Sequence, residues 1–111
     1  MSAPATPSPR MSKWVPDDNP HQARRIGKTQ EEVNELGTVL ARISIQGLDA
    51  VDPASGKTNR QRLHEESADV LAQIKCNISA LGMDTAFLDA RVAAKMNLMA
   101  EWEAHFSGSA S

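Results

Sequence analysis

Two pairs of carboxylates carry the chemistry legible in this chain: Glu32 and Glu35 in KTQEEVNELGTVL, and Glu66 and Asp69 in LHEESADVLAQI. Within each pair the acids stand three residues apart, a spacing that brings side chains on a helix to about 5–6 Å from each other. Like charges at that distance repel and weaken a helix. Two such pairs in one short chain therefore ask for a cation between them. Asp69 occupies the place where a ferritin-like di-iron site would carry His, which favours a hard, non-redox ion. All-oxygen ligands suit Mg²⁺ or Mn²⁺, ions that keep waters and take phosphate oxygens into their shell.

The elements that must position these acids are helices, because the apolar spacing is helical throughout and nothing alternates with period two. Helix one is expected to start at Asn19-Pro20, with Asn19 as N-cap and Pro20 at the first helical position. It carries the stripe Ile26, Val33, Leu36, Leu40 and Ile43, with Gly47 as C-cap. Thr58 and Gln61 form a capping-box signature for helix two, whose apolar residues are Leu63, Val70, Leu71, Ile74, Ile78 and Leu81 up to a stop at Gly82. Asp84 is placed to cap helix three, with the stripe Leu88, Val92, Met96, Met99, Trp102 and Phe106. Cys76 is read as packing in the core of helix two, and Trp102 as a core residue of helix three.

At about 100° per residue, Glu32 and Glu35 lie roughly 70° and 130° from their helix's apolar stripe, and Glu66 and Asp69 roughly 80° and 140° from theirs, in the same rotational sense. Antiparallel neighbours are related by a two-fold axis perpendicular to their common plane. Equal offsets in equal sense therefore bring both pairs to one side of a hairpin, level within about two turns. Solvated acidic faces have no reason to converge in this way. The expected fold is all-α, a helical bundle with three main helices per chain that completes a four-helix-type core in an oligomer.

Composition sets the frame. Of 111 residues, 1–12 are rich in Pro, Ser and Ala and 107–111 read SGSAS, so both ends are expected to be disordered tails around a domain at 13–106. A folded part of roughly 90 residues is thin for a stable monomer and favours association. A net charge of −2 and a pI near 5.9 exclude a general nucleic-acid binder. One cysteine excludes an internal disulfide and fits the cytoplasm, and no apolar run reaches the length of a membrane span or signal h-region.

ExxE followed on the next helix by ExxD, with Glu35-Leu36 after the first pair and Asp69-Val70-Leu71 after the second, resembles the MazG-like all-α nucleoside triphosphate pyrophosphatases, over about Trp14 to Trp102. The resemblance implies Mg²⁺- or Mn²⁺-dependent hydrolysis of a nucleoside triphosphate to the monophosphate and pyrophosphate, with two or more ions per site. It implies a homodimer or homotetramer in which two subunits share the catalytic core, and it makes Glu32, Glu35, Glu66 and Asp69 the metal ligands. Lys95-Met96 matches the family's phosphate-contacting Lys on helix three. Many members carry Asn four residues beyond that Lys, where this chain has Met99; Asn97 is the nearby amide.

Lys28, one turn before Glu32, is placed either to hold a phosphate oxygen or to pair with Glu32. Trp14, in KWVPDDNP ahead of helix one, either stacks on a nucleobase or closes the top of the core. Asp17, Asp18 and Asn19 offer polar groups nearby. This lead-in and the RISIQGLD segment are similar to a phage subgroup (MazZ-like) that cuts dGTP to dGMP. Phosphoribosyl-ATP pyrophosphohydrolase is the rival of the same fold and chemistry, and a non-enzymatic helical oligomerisation or adaptor module the rival from another class. Gly27-Lys28-Thr29 and Gly56-Lys57-Thr58 mimic the end of a P-loop, but Gln22 and Val51 stand where its first Gly is required. His64-Glu65-Glu66 opens like a zinc-protease helix, but Ala68 takes the place of the second His.

Overall fold

A computed structural model describes residues 14–109; the tail expected at 1–12 and the last two residues lie outside that range. The described chain is all-α: α1 Pro20–Gln46, α2 Asn59–Ala80 and α3 Thr85–Ser109. The helix ends follow local chemistry. Asn19 accepts from the backbone N–H groups of His21 and Gln22 at 3.1 Å each, and Pro20 opens α1. At the far end Gly47 adopts a positive φ of 87° while its N–H closes on the Ile43 carbonyl. The Thr58 hydroxyl accepts from the Gln61 N–H at 3.1 Å and the Gln61 side chain accepts from the Thr58 N–H at 2.8 Å, a complete capping box. Asp84 caps α3 through the Phe87 N–H. That helix runs on to Ser109, three residues past the point where the sequence places a tail.

α1 and α2 pack against each other as an antiparallel hairpin; α3 packs on neither beyond the turn that joins it to α2. The loop between α1 and α2 is tied down by polar groups. Asn59, 1% exposed, donates from Nδ2 to the Gly47 carbonyl at 2.9 Å and from its backbone to Ala50 at 3.0 Å. Asp52 accepts from Ser55 Oγ at 2.8 Å and lies 3.5 Å from Arg42 and 3.6 Å from Arg62, so one loop carboxylate grips both helices. These bonds set the register of the hairpin from its closed end.

Among the described residues Val39 alone is a fully buried apolar side chain. The sequence stripe on α1 omits it, and the reason lies in the packing. The line along which α1 meets α2 runs through Glu32, Leu36, Val39 and Ile43 and is turned about 60° from the stripe centre, toward the acids. Ile26, Val33 and Leu40, spaced by seven, are consequently left 47–48% exposed. By the same rotation Leu71 and Ile74 lie on the matching side of α2, 56% and 42% exposed. The hairpin thus has an acidic side and an apolar side. Trp102, expected in the core, is 57% exposed, because α3 has nothing to pack on within the chain. Among the described residues no helix is long and apolar enough to cross a membrane.

Candidate metal centre

Glu32 and Glu35 from α1 and Glu66 from α2 converge: each offers a carboxylate oxygen within 4.8 Å of those of the other two. The rotation that buries Val39 also moves Glu32 from the expected edge into the seam, where it is 8% exposed. Its Oε1 pairs with Lys28 Nζ at 3.2 Å, while Oε2 is buried with no hydrogen-bond partner. Glu66 Oε2 is buried and unpartnered as well. A buried acceptor without a donor costs about 1–3 kcal/mol, more when charged. Two such oxygens from facing helices, beside a third carboxylate, make an oxygen-rich donor set of the kind that could hold a hard divalent cation.

The electrostatics of the cluster are those of crowded like charges. The pKa of Glu35 is raised, first by the neighbouring Glu32 charge, then by partial desolvation and by Glu66 and Glu31. Lys28 is held charged more firmly than an ordinary lysine by its hydrogen bonds to Glu32 and to Glu31, the latter at 3.4 Å. Of the two roles open to Lys28 in the sequence, the structure displays the ion pair with Glu32.

Below the cluster, away from the loop, a second polar clamp joins the helices. Asn77 Nδ2 donates to Thr29 Oγ1 at 2.9 Å, and that hydroxyl lies 2.9 Å from the Arg25 carbonyl and 3.2 Å from Gln73 Oε1. Asn77 is 7% exposed and its Oδ1 has no partner. Sequence reasoning missed Thr29, Gln73 and Asn77. The available signal was their register: Thr29 stands three residues before Glu32, and Gln73 and Asn77 stand seven and eleven after Glu66, on the same helix face.

The other expected site residues stand apart from the cluster. Asp69 is exposed on α2 and does not belong to the group of mutually close oxygens. Lys95 and Asn97 are exposed on α3, which does not pack on the hairpin bearing the carboxylates. Trp14 is 89% exposed in the segment ahead of α1 and so does not close the core of this chain. Asn19 and Asp17 are engaged in the start of α1, Asp17 accepting from the Asn19 N–H at 2.9 Å and from Gln22 Nε2 at 2.6 Å. Cys76, placed in the core by the sequence, is instead an exposed free thiol. It follows Asp69 by seven residues and shares that solvent-facing edge of α2.

Comparison of the chain with family models, with curated proteins and with solved structures finds no match. The functional reading therefore rests on the carboxylate geometry and on the motif pattern.

Proposed function

We propose that this chain is a Mg²⁺- or Mn²⁺-dependent nucleoside triphosphate pyrophosphohydrolase that converts a (d)NTP, foremost dGTP, to the (d)NMP and pyrophosphate in the cytoplasm. The observation that carries the reading is the convergence of Glu32, Glu35 and Glu66 within 4.8 Å, with Glu32 Oε2 and Glu66 Oε2 buried and unpartnered. The ExxE and ExxD motifs that contain these residues support the choice of reaction by their resemblance to the MazG-like enzymes. Glu32, Glu35 and Glu66 would hold the cation, with Asp69 one turn along α2 at the rim. A cation bound there supplies neutralisation of triphosphate charge, polarisation of the attacked phosphorus and a bound water of lowered pKa. Lys28 sits beside Glu32, its Nζ 3.2 Å from Oε1, where it would add positive charge facing a triphosphate. The guanine preference rests on the Trp14 lead-in and the RISIQGLD segment alone.

The test is incubation with each of the four dNTPs and Mg²⁺ or Mn²⁺, with both products identified. Pyrophosphate plus dNMP, fastest from dGTP, is the expected result. Phosphate plus dNDP, or no turnover with either ion, overturns the reaction class. Equal rates on all four, or preference for dCTP or dUTP, retains the class and removes the guanine assignment.

A further inference from the structure

The hairpin carries its charge in two blocks. Toward the loop, residues 31–46 of α1 and 59–69 of α2 hold six acids against three arginines. Toward the open end, residues 20–30 and 70–80 hold Arg24, Arg25, Lys28 and Lys75 and not one Asp or Glu. The whole chain stands at −2, so this block of four cations runs against its average. The acids that flank it are placed elsewhere. Asp17 and Asp84 serve the starts of α1 and α3, Asp18 is exposed in the lead-in, Glu31 pairs with Lys28, and Asp69 stands at the rim of the centre.

Two of the four cations are already engaged: Arg24 donates to the Pro20 carbonyl, and Lys28 pairs with Glu31 and Glu32. The side chains of Arg25 and Lys75 have no ion-pair or hydrogen-bond acceptor among the described residues; Arg25 is engaged through its carbonyl alone, which accepts from Thr29. Arg25 is also half-buried, on the seam line of α1 seven residues before Glu32. A guanidinium is a fork of five donors, and burial that takes water from it without supplying an acceptor is unfavourable. Arg25 and Lys75 line one open groove between the helices, together with Cys76, Ser79 and Ala80. Cys76 follows Asp69 by seven residues, so the groove opens on the Asp69 edge of α2, about two turns (~10 Å) farther from the loop.

We infer that this groove binds a phosphoryl group between Arg25 and Lys75, with the Ser79 hydroxyl as a further donor. The residue types select that class. A guanidinium grips two oxygens of one phosphate, an ammonium adds a point charge, and two cations without counter-ions match a dianion better than a single carboxylate. The surrounding block of positive charge, with no acid inside it, draws anions to the same end of the hairpin. Two sources offer this chemistry: free phosphate or pyrophosphate, and the far phosphates of a triphosphate whose near end lies at the carboxylates. Lys28 stands between the two places, three residues after Arg25 and four before Glu32, and would bridge them. The second source rests on the proposed reaction; the groove itself does not.

Cys76 is the single cysteine of the chain and lines the groove, so its alkylation reads occupancy. In EDTA, pyrophosphate should protect Cys76 from iodoacetamide in a saturable manner, and chloride at matched ionic strength should not. Lys75→Met, a change on the exposed surface, should raise the pyrophosphate concentration needed by about tenfold, and Arg25→Met likewise. Arg24→Met, in the same block but outside the groove, should leave it unchanged. Glu66→Gln should be protected by pyrophosphate as the parent is, which separates a failed groove from a failed metal centre. A dGTP analogue with a methylene between its first two phosphorus atoms distinguishes the sources. If it protects Cys76 in the parent with Mn²⁺ and not in Glu66→Gln, the groove serves the triphosphate; if pyrophosphate alone protects, it serves the free anion. Labelling indifferent to both probes overturns the inference, and so does protection that Lys75→Met and Arg25→Met leave intact.

Discussion

Replacing Glu66 with Gln should raise the stability of the metal-free protein and abolish its response to Mn²⁺. The reasoning starts from distance. Two unit charges 4.8 Å apart, the outer limit of the cluster, repel by about 3 kcal/mol at an effective dielectric of ~20 and by about 1 kcal/mol in water. Glu66 is half-buried, between those limits, and its Oε2 has no donor to offset the cost. Removing its charge while keeping its shape should therefore stabilise the metal-free state by about 1–2 kcal/mol, or roughly 5–10 °C in melting temperature for a domain of this size. The parent protein should gain about 2.7 kcal/mol at an Mn²⁺ concentration a hundred times its Kd, and Glu66→Gln should gain little. The assay is thermal melting in EDTA and in Mn²⁺ at fixed protein concentration. A variant that melts lower than the parent in EDTA and still shifts upward with Mn²⁺ would falsify the account, since the acid would then be serving a structural hydrogen bond and not a cation.

Lys28→Met should raise Mn²⁺ affinity by about threefold, because it removes the ammonium that competes for Glu32 Oε1; isothermal titration reads the change, and an unaltered or weaker affinity contradicts the competition. Val39→Ala should cost about 2–3 kcal/mol in denaturant unfolding, for two lost methylene equivalents and the cavity left in the only fully buried apolar position among the described residues; a cost under about 0.5 kcal/mol would mean that the seam is not packed. The metal-free protein should have a stability optimum near the carboxylate range. Glu35 binds its proton more tightly folded than unfolded, so stability falls as pH rises from the unfolded value of about 4.3 through its raised folded pKa. Asp52, lowered first by its bond from Ser55 and then by the Ala54 N–H, Arg42 and Arg62, acts oppositely: its contribution is intact above about 3.9 and is lost as pH falls through its lowered folded pKa. Melting curves across pH in EDTA check both limbs; Asp52→Asn should flatten the acid limb and Glu35→Gln the upper one.

What could be read from the sequence divides along a physical line. Signals confined to a few neighbouring residues came through: the Asn19 cap, the Gly47 end, the Thr58–Gln61 box and the Asp84 cap all stand where local hydrogen-bonding chemistry puts them. The rotation of one helix on another did not, because it depends on which side chains fill the seam. A stripe centred on Ile26, Val33 and Leu40 assumes that the most apolar line faces the neighbour. In the structure that line is displaced by the buried Glu32 and by Thr29, Gln73 and Asn77, the last three of which pair across the hairpin. The same displacement explains why Glu32 is buried where an edge position was expected, and why Cys76 faces solvent. For the site, Glu32, Glu35 and Glu66 were legible as a convergent set. Asp69, Lys95 and Asn97 were not brought to it, because placing them depends on side-chain rotation at the rim or on where α3 packs, and α3 has no place within one chain.

The position of the cluster between two clamps bears on why it repels and still holds. Toward the loop, Asn59 and Asp52 tie α2 to the end of α1. Toward the other end, Asn77 reaches Thr29 across the seam. Glu32, Glu35 and Glu66 lie between these fixed points, about two turns from the first and one to three from the second along their helices. Had either clamp been absent, the helices could splay, letting water reach the carboxylates and relieve the repulsion at the hairpin's open end. Bonded at both ends, the hairpin instead holds three carboxylates together with two of their oxygens cut off from any donor. A solvated acidic face has no need of such an arrangement, since exposed side chains spread apart freely. An arrangement that fixes ligands before the ion arrives spares the ion the cost of ordering them, and the repulsion relieved on binding adds to its affinity. On the proposed function, the clamps are therefore as much a part of the centre as the acids. Four of their residues, Thr29, Asn59, Gln73 and Asn77, carry no charge, which is why a search of the sequence for ligand chemistry passes over them.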